Sequence, residues 1–383
     1  GVSRLNYPMI DGVVKGCPSH LLEPERLQKI QYSEDFSQVY WSVIRANINP
    51  NQAISPNGTL TADLLTITDT SENYIQTNAP ITVSGTKQTV SCFVKKGTND
   101  FAHILLWDTA SNGSRQWFDV NNGRVESSTA FGSGISVDSA SIENYGNGWF
   151  RCIVVFNCSF TSVRTRISAS NGDGQINGTI GKTIFIWGYQ VESNSSYPTS
   201  YIPNYGTSAG VTRSAETADG SGDASTFNSS EGVLIAEVSA LNNDLSERRF
   251  GISDGTGSNA VRFGYTSASN RIVAVVYNGS NQAVLTYNGA TITDFNKIAL
   301  KYKENDFALW VNGIERSADS SGSVFASNTL NSLDFNIGGG SHFYSNTKDV
   351  RYYNTALTDN ELEQLTSWVS FSDMANGQQY SIK

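Results

Sequence analysis

The chain has 383 residues, of which 38% are hydrophobic and 16% charged, with a formal net charge of −9. That length predicts two or three domains, each able to bury its own core. A negative balance without any Lys/Arg run disfavours sequence-independent nucleic-acid binding, which needs a positive surface to release phosphate counterions. No run approaches 18 apolar residues, so no membrane insertion by a helix is expected. With 34 Gly and abundant Ser, Thr and Asn, the composition suits all-β folds with many polar turns. The chain opens with Gly-Val-Ser and no signal peptide, as a processed product or an excised fragment would.

Residues 1–30 read as an irregular segment holding Pro8, Pro18 and Pro24, with one short helix expected near Glu25–Ile30 because Pro suits a first helical turn. From residue 31 to 205, strand signals recur at regular spacing: LTADLLTITD, TVSCFVKKG, AHILLWDT, RQWFDV, GWFRCIVVFNC, VRTRISAS and KTIFIWGYQVE. Between them lie SPNG, ASNG, NNGR, NYGNG and NGDG, whose Asn-Gly and Asp-Gly pairs supply the positive φ of tight hairpins. Short strands split by such turns indicate a β-sandwich or jelly roll. Residues 206–230 lack a hydrophobic period and read as a polar linker, although the aromatic YPTSYIP before them is expected to pack on the first domain.

Residues 231–383 repeat the style, from GVLIAEVSAL through RIVAVVYN, NKIALKYKE and DFALWVNGIE to KDVRYYN. LTDNELEQLTSW carries the helix signal: Thr358 caps it, Glu361 completes a capping box, and Leu357, Leu362 and Leu365 face the sheet. QQYSIK is expected as a last strand. The fold class is therefore all-β, with two β-sandwich domains joined by a polar linker.

Four cysteines, Cys17, Cys92, Cys152 and Cys158, form no metal-binding spacing. Cys152 and Cys158 fall in one strand with their Cα atoms ~20 Å apart, too far to bridge. They read as small buried hydrophobes, with a Cys92–Cys152 cross-strand bond as the alternative.

GCPSHLLEPERLQKIQYSEDFSQVYWS, followed in order by GWFRC, IFIWGYQVE and PTSYIPNYGTSAGVTRSAE, resembles a module common in tail-fibre and other virion structural proteins of bacteriophages. That module's jelly roll looks like a carbohydrate-binding module. NKIALKYKENDFALWVNG and DVRYYNTALTDNELEQLT resemble laminin-G or concanavalin-A-like lectin domains. The resemblance implies a virion (an extracellular particle) as the location, a homotrimer, other virion proteins as neighbours, and host cell-surface polysaccharide as the partner. It further implies that residues 1–30 dock onto the particle or onto sister chains.

For sugar binding the useful residues are exposed aromatics, whose faces stack on apolar sugar faces, beside amides and charges. In DFALWVNG, Phe307, Leu309 and Val311 share one face, which turns Trp310 to the other beside Lys301 and Lys303. Trp310 is a candidate platform, against packing on the outer sheet face or a subunit contact. Trp107 and Trp117 flank the ASNGSR turn as a second candidate pair, while Trp149 and Trp187 read as core. His342 and Tyr344 lie in a Gly-rich loop that either holds a sugar or is a plain turn. His103 alternates with Phe101, Leu105 and Trp107 and belongs to a half-buried face. Asp219 and Asp223 in DGSGD are candidate ligands for a structural Ca²⁺, the alternative being a plain linker. No cofactor is required.

A glycosidase needs two carboxylates facing each other across a cleft, and no strand carries acids at alternating positions. Glu237 stands alone in LIAEVSA, and Glu304 and Asp306 lie at a turn. The expectation is a non-enzymatic virion protein that presents β-sandwiches for glycan attachment and subunit assembly. A polysaccharide depolymerase, or a secreted bacterial lectin or adhesin, is the alternative.

Overall fold

The structure is a computed structural model that describes residues 4–7, 9–10, 13–14, 16–370 and 374. It is nearly all β, and the chain divides into two compact units. The first in sequence weight comprises residues 9–13 and 25–214, and the second residues 1–8, 14–24 and 215–383. The expected strand QQYSIK lies outside the described residues. Among the described residues, no helix is long and apolar enough to cross a membrane.

The 25–214 unit is a sandwich of two antiparallel sheets. The front sheet runs in the order Arg124–Phe131, Gly113–Asp119, Phe101–Trp107, Ser162–Ser170, Tyr74–Thr77 and Trp41–Ile44. The back sheet includes Ile135–Gly146, Trp149–Cys158, Lys87–Lys96 and Thr183–Ser193. Successive side chains in a strand face opposite ways, so alternate residues build the core. Ala102, Ile104, Leu106 and Ile167 of the front sheet meet Val90, Val94, Val154 and Phe156 of the back sheet. Cys92 and Cys152 stand directly opposite each other in this core, and both are free thiols, as is buried Cys158.

The outer face of the back sheet is closed by the chain itself. Arg151, fully buried there, donates to Thr199 O at 2.8 Å, and Gln190 Oε1 accepts from Ile202 N at 2.7 Å. Tyr197 and Ile202 are buried, as expected for YPTSYIP. The chain then adds the strand Val211–Arg213 against Arg26–Gln28. Two expectations fail at this point. No helix forms near Glu25–Ile30, because Arg26–Gln28 is a strand paired on both sides, and Gln28 locks it by donating to Tyr189 O and accepting from Val191 N. Residues 206–214 are likewise built into this unit.

The second unit packs a seven-stranded sheet on a five-stranded one. Leu234, Ala236, Ile298, Leu300, Leu309 and Val311 of the first face Phe250, Ile252, Val261, Phe263, Ala274 and Val276 of the second. The remainder of the expected linker belongs to this unit: Ser221 bridges to Leu333 and Phe227 is buried in its core. The N-terminal segment is not wholly irregular either. Ser19–Leu22 is a strand of the seven-stranded sheet, pairing Ser345–Thr347 on one side and Arg4–Asn6 on the other. Arg4 is held by the carboxylates of Glu23 and Glu216, which raise its guanidinium against the opposing effect of burial. The helix Asp359–Thr366 carries the expected capping box between Thr358 and Glu361.

Candidate functional site

On the front sheet of the 25–214 unit, the core takes residues 102, 104 and 106, so 101, 103, 105 and 107 point away from it. Strand register then places side chains in rows across this outward face. Leu105 sits opposite Arg115 on one side and Arg166 on the other, with Gln76 beyond Arg166. The next row reads Phe131, Gly113, Trp107 and Arg164. Gly113 is required there: a Cβ would come within 2.5 Å of the Phe131 ring and 2.8 Å of Trp107 Cβ. The opposite row carries Trp117, His103 and Ser168.

Arg166 is the centre of this arrangement. Its guanidinium lies 4.0 Å from the centroid of the Tyr74 ring and 4.6 Å from that of Trp107, a cation–π contact on both. Its Nε donates to Gln76 Oε1 at 2.9 Å. Glu72 draws on two cations, pairing with Arg115 at 3.0 Å and with Arg166 at 3.6 Å. Arg115 also lies 5.0 Å from the Phe131 centroid. Burial pushes the Arg166 guanidinium down from its usual value, and repulsion from Arg115 and Arg164 adds to this. Tyr74, Trp107, Arg115 and Arg164 are all half-buried, so the face is partly open to solvent.

The floor beside Arg115 and Arg166 is polar. His103 is fully buried, packs 5.3 Å from Trp117, and has no hydrogen-bond partner at either ring nitrogen. Burial, helped by Arg115 and Arg166, pushes it down to about 3, so it is neutral at pH 7. Ser168 Oγ, Trp107 Nε1 and the Nε atoms of Arg115 and Arg164 are also buried without a partner.

Of the residues singled out from sequence, Trp107 lies on this face with its ring half-buried. Trp117 shares the face but is no platform: it is 2% exposed, and its Nε1 donates to Gln175 O at 2.7 Å. Trp310 points away from the core of its own unit, as expected, yet is only 7% exposed. It is packed among Val233, Ile235, Ala299 and Ala308 with Leu362 of the helix, and so presents no open ring face. His342 and Tyr344 stack on each other with centroids 5.3 Å apart and planes 12° apart. Trp149 and Trp187 are buried, in a cluster with Phe93 on the covered outer face of the back sheet.

The two candidate calcium ligands have other partners or neighbours. Asp223 Oδ1 is taken up by Ser225 and Thr226 within its own turn. Asp219 is pushed up by burial and by Asp334. Among the described residues, no group of three or more His, Cys, Asp or Glu could hold a metal ion.

Sequence reasoning passed over Glu72, Tyr74, Gln76, Arg115, Arg164 and Arg166. One signal was available. In VRTRIS the two arginines alternate with Val163, Thr165 and Ile167, which places both on one face of a strand.

No family model matches the chain, and no curated protein matches it. Comparison with solved structures finds the following similarities. The carbohydrate-binding module of a Ruminococcus gnavus sialidase, bound to α2,3-sialyllactose, is 15% identical over 40% of this chain and 96% of its own, with a TM-score of 0.32. Mouse laminin α1 domains LG4–5 cover 93% of this chain and 96% of their own at 10% identity and a TM-score of 0.27. A Trypanosoma rangeli sialidase mutant displaying trans-sialidase activity covers 80% of this chain and 60% of its own at 10% identity and 0.31.

Proposed function

We propose that the chain is a non-enzymatic glycan-binding protein, and that the outward face of the front sheet is where it holds sugar. The observation that carries this is the half-open aromatic cluster of Trp107 and Tyr74 around Arg166, with Gln76, Glu72 and Arg115 beside it. Aromatic faces cover the apolar face of a pyranose, and the amide and charged groups fix its hydroxyls. Hydrolysis would need two carboxylates across the scissile bond, whereas Glu72 is engaged by two guanidinium groups. Sites of this kind bind weakly one at a time, so repetition in an assembly supplies the strength.

The particle role follows from the sequence resemblance. We infer a bacteriophage virion appendage, a homotrimer among other virion proteins, attaching to host-surface polysaccharide. Light scattering tests the assembly: a particle of three times the chain's 41.5 kDa supports it, and a monomer counts against it. For the site, Trp107→Ala is expected to weaken glycan binding at least tenfold in isothermal titration without lowering the melting temperature by more than a few degrees. Unchanged binding overturns the site, and release of reducing ends from the polysaccharide overturns the non-enzymatic reading.

A further inference from the structure

The charge on this face identifies the class of glycan. Resting on the reading just given, we propose that the site selects an anionic sugar, one bearing a carboxylate or a sulfate, and that Arg115, Arg164 and Arg166 hold the anion.

Of the guanidinium groups of Arg115, Arg164 and Arg166, two pair with one carboxylate, Glu72, and the third with none among the described residues, although the chain as a whole carries a net charge of −9. Arg115 and Arg166 divide Glu72 between them. The Arg164 side chain has no ion pair or hydrogen bond among the described residues, and it sits beside Trp107 in the strand register, half-buried. Its charge is therefore uncompensated next to the aromatic platform. The arginines repel one another, and this adds to the depression of Arg166 by burial. An incoming anion relieves that repulsion, so binding and site electrostatics favour the same ligand.

Geometry agrees with charge. Arg115 and Arg166 flank Leu105 from the two neighbouring strands, so their backbones stand about 10 Å apart, roughly the span of two sugar-ring edges. Arg164 and Arg166 are two residues apart on one strand and project from the same side. A planar guanidinium matches carboxylate or sulfate oxygens in paired hydrogen bonds. Arg166 is already oriented by Tyr74, Trp107 and Gln76, so little freedom is lost when it binds. The neutral His103 and the unpartnered Ser168 on the adjacent row keep the floor polar without adding to its charge. A neutral glycan would leave Arg164 uncompensated and partly desolvated, which is how the site discriminates.

Isothermal titration of the full chain tests this with three probes: hyaluronan oligosaccharides for the carboxylate, dextran sulfate for the sulfate, and neutral dextran oligosaccharides. The anionic probes are expected to bind at least tenfold more tightly than dextran. Arg164→Gln, which breaks no ion pair or side-chain hydrogen bond among the described residues, is expected to weaken anionic binding five- to tenfold, and Arg115→Gln to do so comparably. Glu72→Gln removes the competing carboxylate and should tighten it severalfold. Arg249→Gln, in the other unit, should change nothing. Hyaluronan without dextran sulfate, or the reverse, supports the proposal and names the anion. Dextran binding as tightly as both overturns the anionic inference and leaves glycan binding standing. No binding of any probe overturns both, and anionic binding indifferent to Arg164→Gln and Arg115→Gln overturns the assignment to this face.

Discussion

Both units place a tryptophan beside a cation on the outward face of a sheet, with opposite results. In the 215–383 unit, Trp310 lies in register with Ala299, and Lys301 is two residues along that neighbouring strand. The helix Asp359–Thr366 packs over them: Leu362 is fully buried against this face, and Lys301 is closed in by Asp306 at 2.7 Å and Asp359 at 3.7 Å. In the 25–214 unit, Trp107 lies in register with Arg164 and no carboxylate answers Arg164 among the described residues. The same alternation therefore yields a second small core in one place and, in the other, the half-open face proposed above as the glycan site. What separates them is one amphipathic helix together with two acids, Asp359 at its start and Asp306 in the turn before Phe307.

Breaking the cover should have the largest effect. Leu362→Ala removes the fully buried side chain that closes the Trp310 face, and a loss of about 2–4 kcal/mol is expected in chemical denaturation of that unit's transition. Acrylamide should quench the Trp310 contribution more strongly, judged against Trp310→Phe in the same background. A change under about 0.5 kcal/mol, the scale of ordinary surface substitutions, would mean that the helix is not what closes this face.

The other face can be probed by pH, because its floor holds a buried histidine. His103 is pushed down to about 3 by burial, with Arg115 and Arg166 adding to it. An unfolded histidine titrates near 6.5. Between these values the unfolded chain binds the extra proton, so stability rises with pH. The contribution is complete above about 6.5 and is lost as pH falls toward 3. Asp63 in the same unit works the other way: burial pushes it up to about 6, so its charge costs stability above that value and protonation relieves it below. His103→Gln should therefore flatten the decline of thermal stability between pH 6.5 and 4, and leave the rise due to Asp63 exposed. A decline unchanged in that variant would remove His103 as its source.

Much of the architecture was legible because it is local. Alternation and Asn-Gly turns marked the strands, and the capping box at Thr358 and Glu361 marked the helix. Alternation also put His103 on the face of Trp107 and turned Trp310 away from Leu309. It could not show what lies over a face. The cover on Trp310 comes from Leu362, and the rings around Arg166 come from Tyr74 and Trp107, each brought in by folding from a separate strand. The N-terminal strand was hidden for the same reason. Ser19–Leu22 is four residues long, too short for a period to register, and it exists only because Ser345–Thr347 offers it an edge. The expected helix at Glu25–Ile30 gave way to pairing with Glu192 and with Val211–Arg213, partners more than 160 residues away. The arginine face, by contrast, was partly written in VRTRIS, where alternating charges inside a strand are uncommon enough to ask what they face.

The smallest effect should come from the start of the covering helix. Thr358 accepts a hydrogen bond from Glu361 N, and the Glu361 carboxylate accepts from Thr358 N at 2.8 Å. Thr358→Ala removes an N-cap hydroxyl, worth about 1 kcal/mol in other helices. The helix here is short, only Asp359–Thr366, and its hold on the sheet comes chiefly from Leu362 packing rather than from helix propensity. Thr358→Ala should therefore lower the denaturation midpoint of the unit slightly and leave Trp310 shielded from acrylamide. If Trp310 became as accessible as in Leu362→Ala, the cap rather than the packing would be holding the cover closed, and the difference between the two faces would come down to a single hydroxyl.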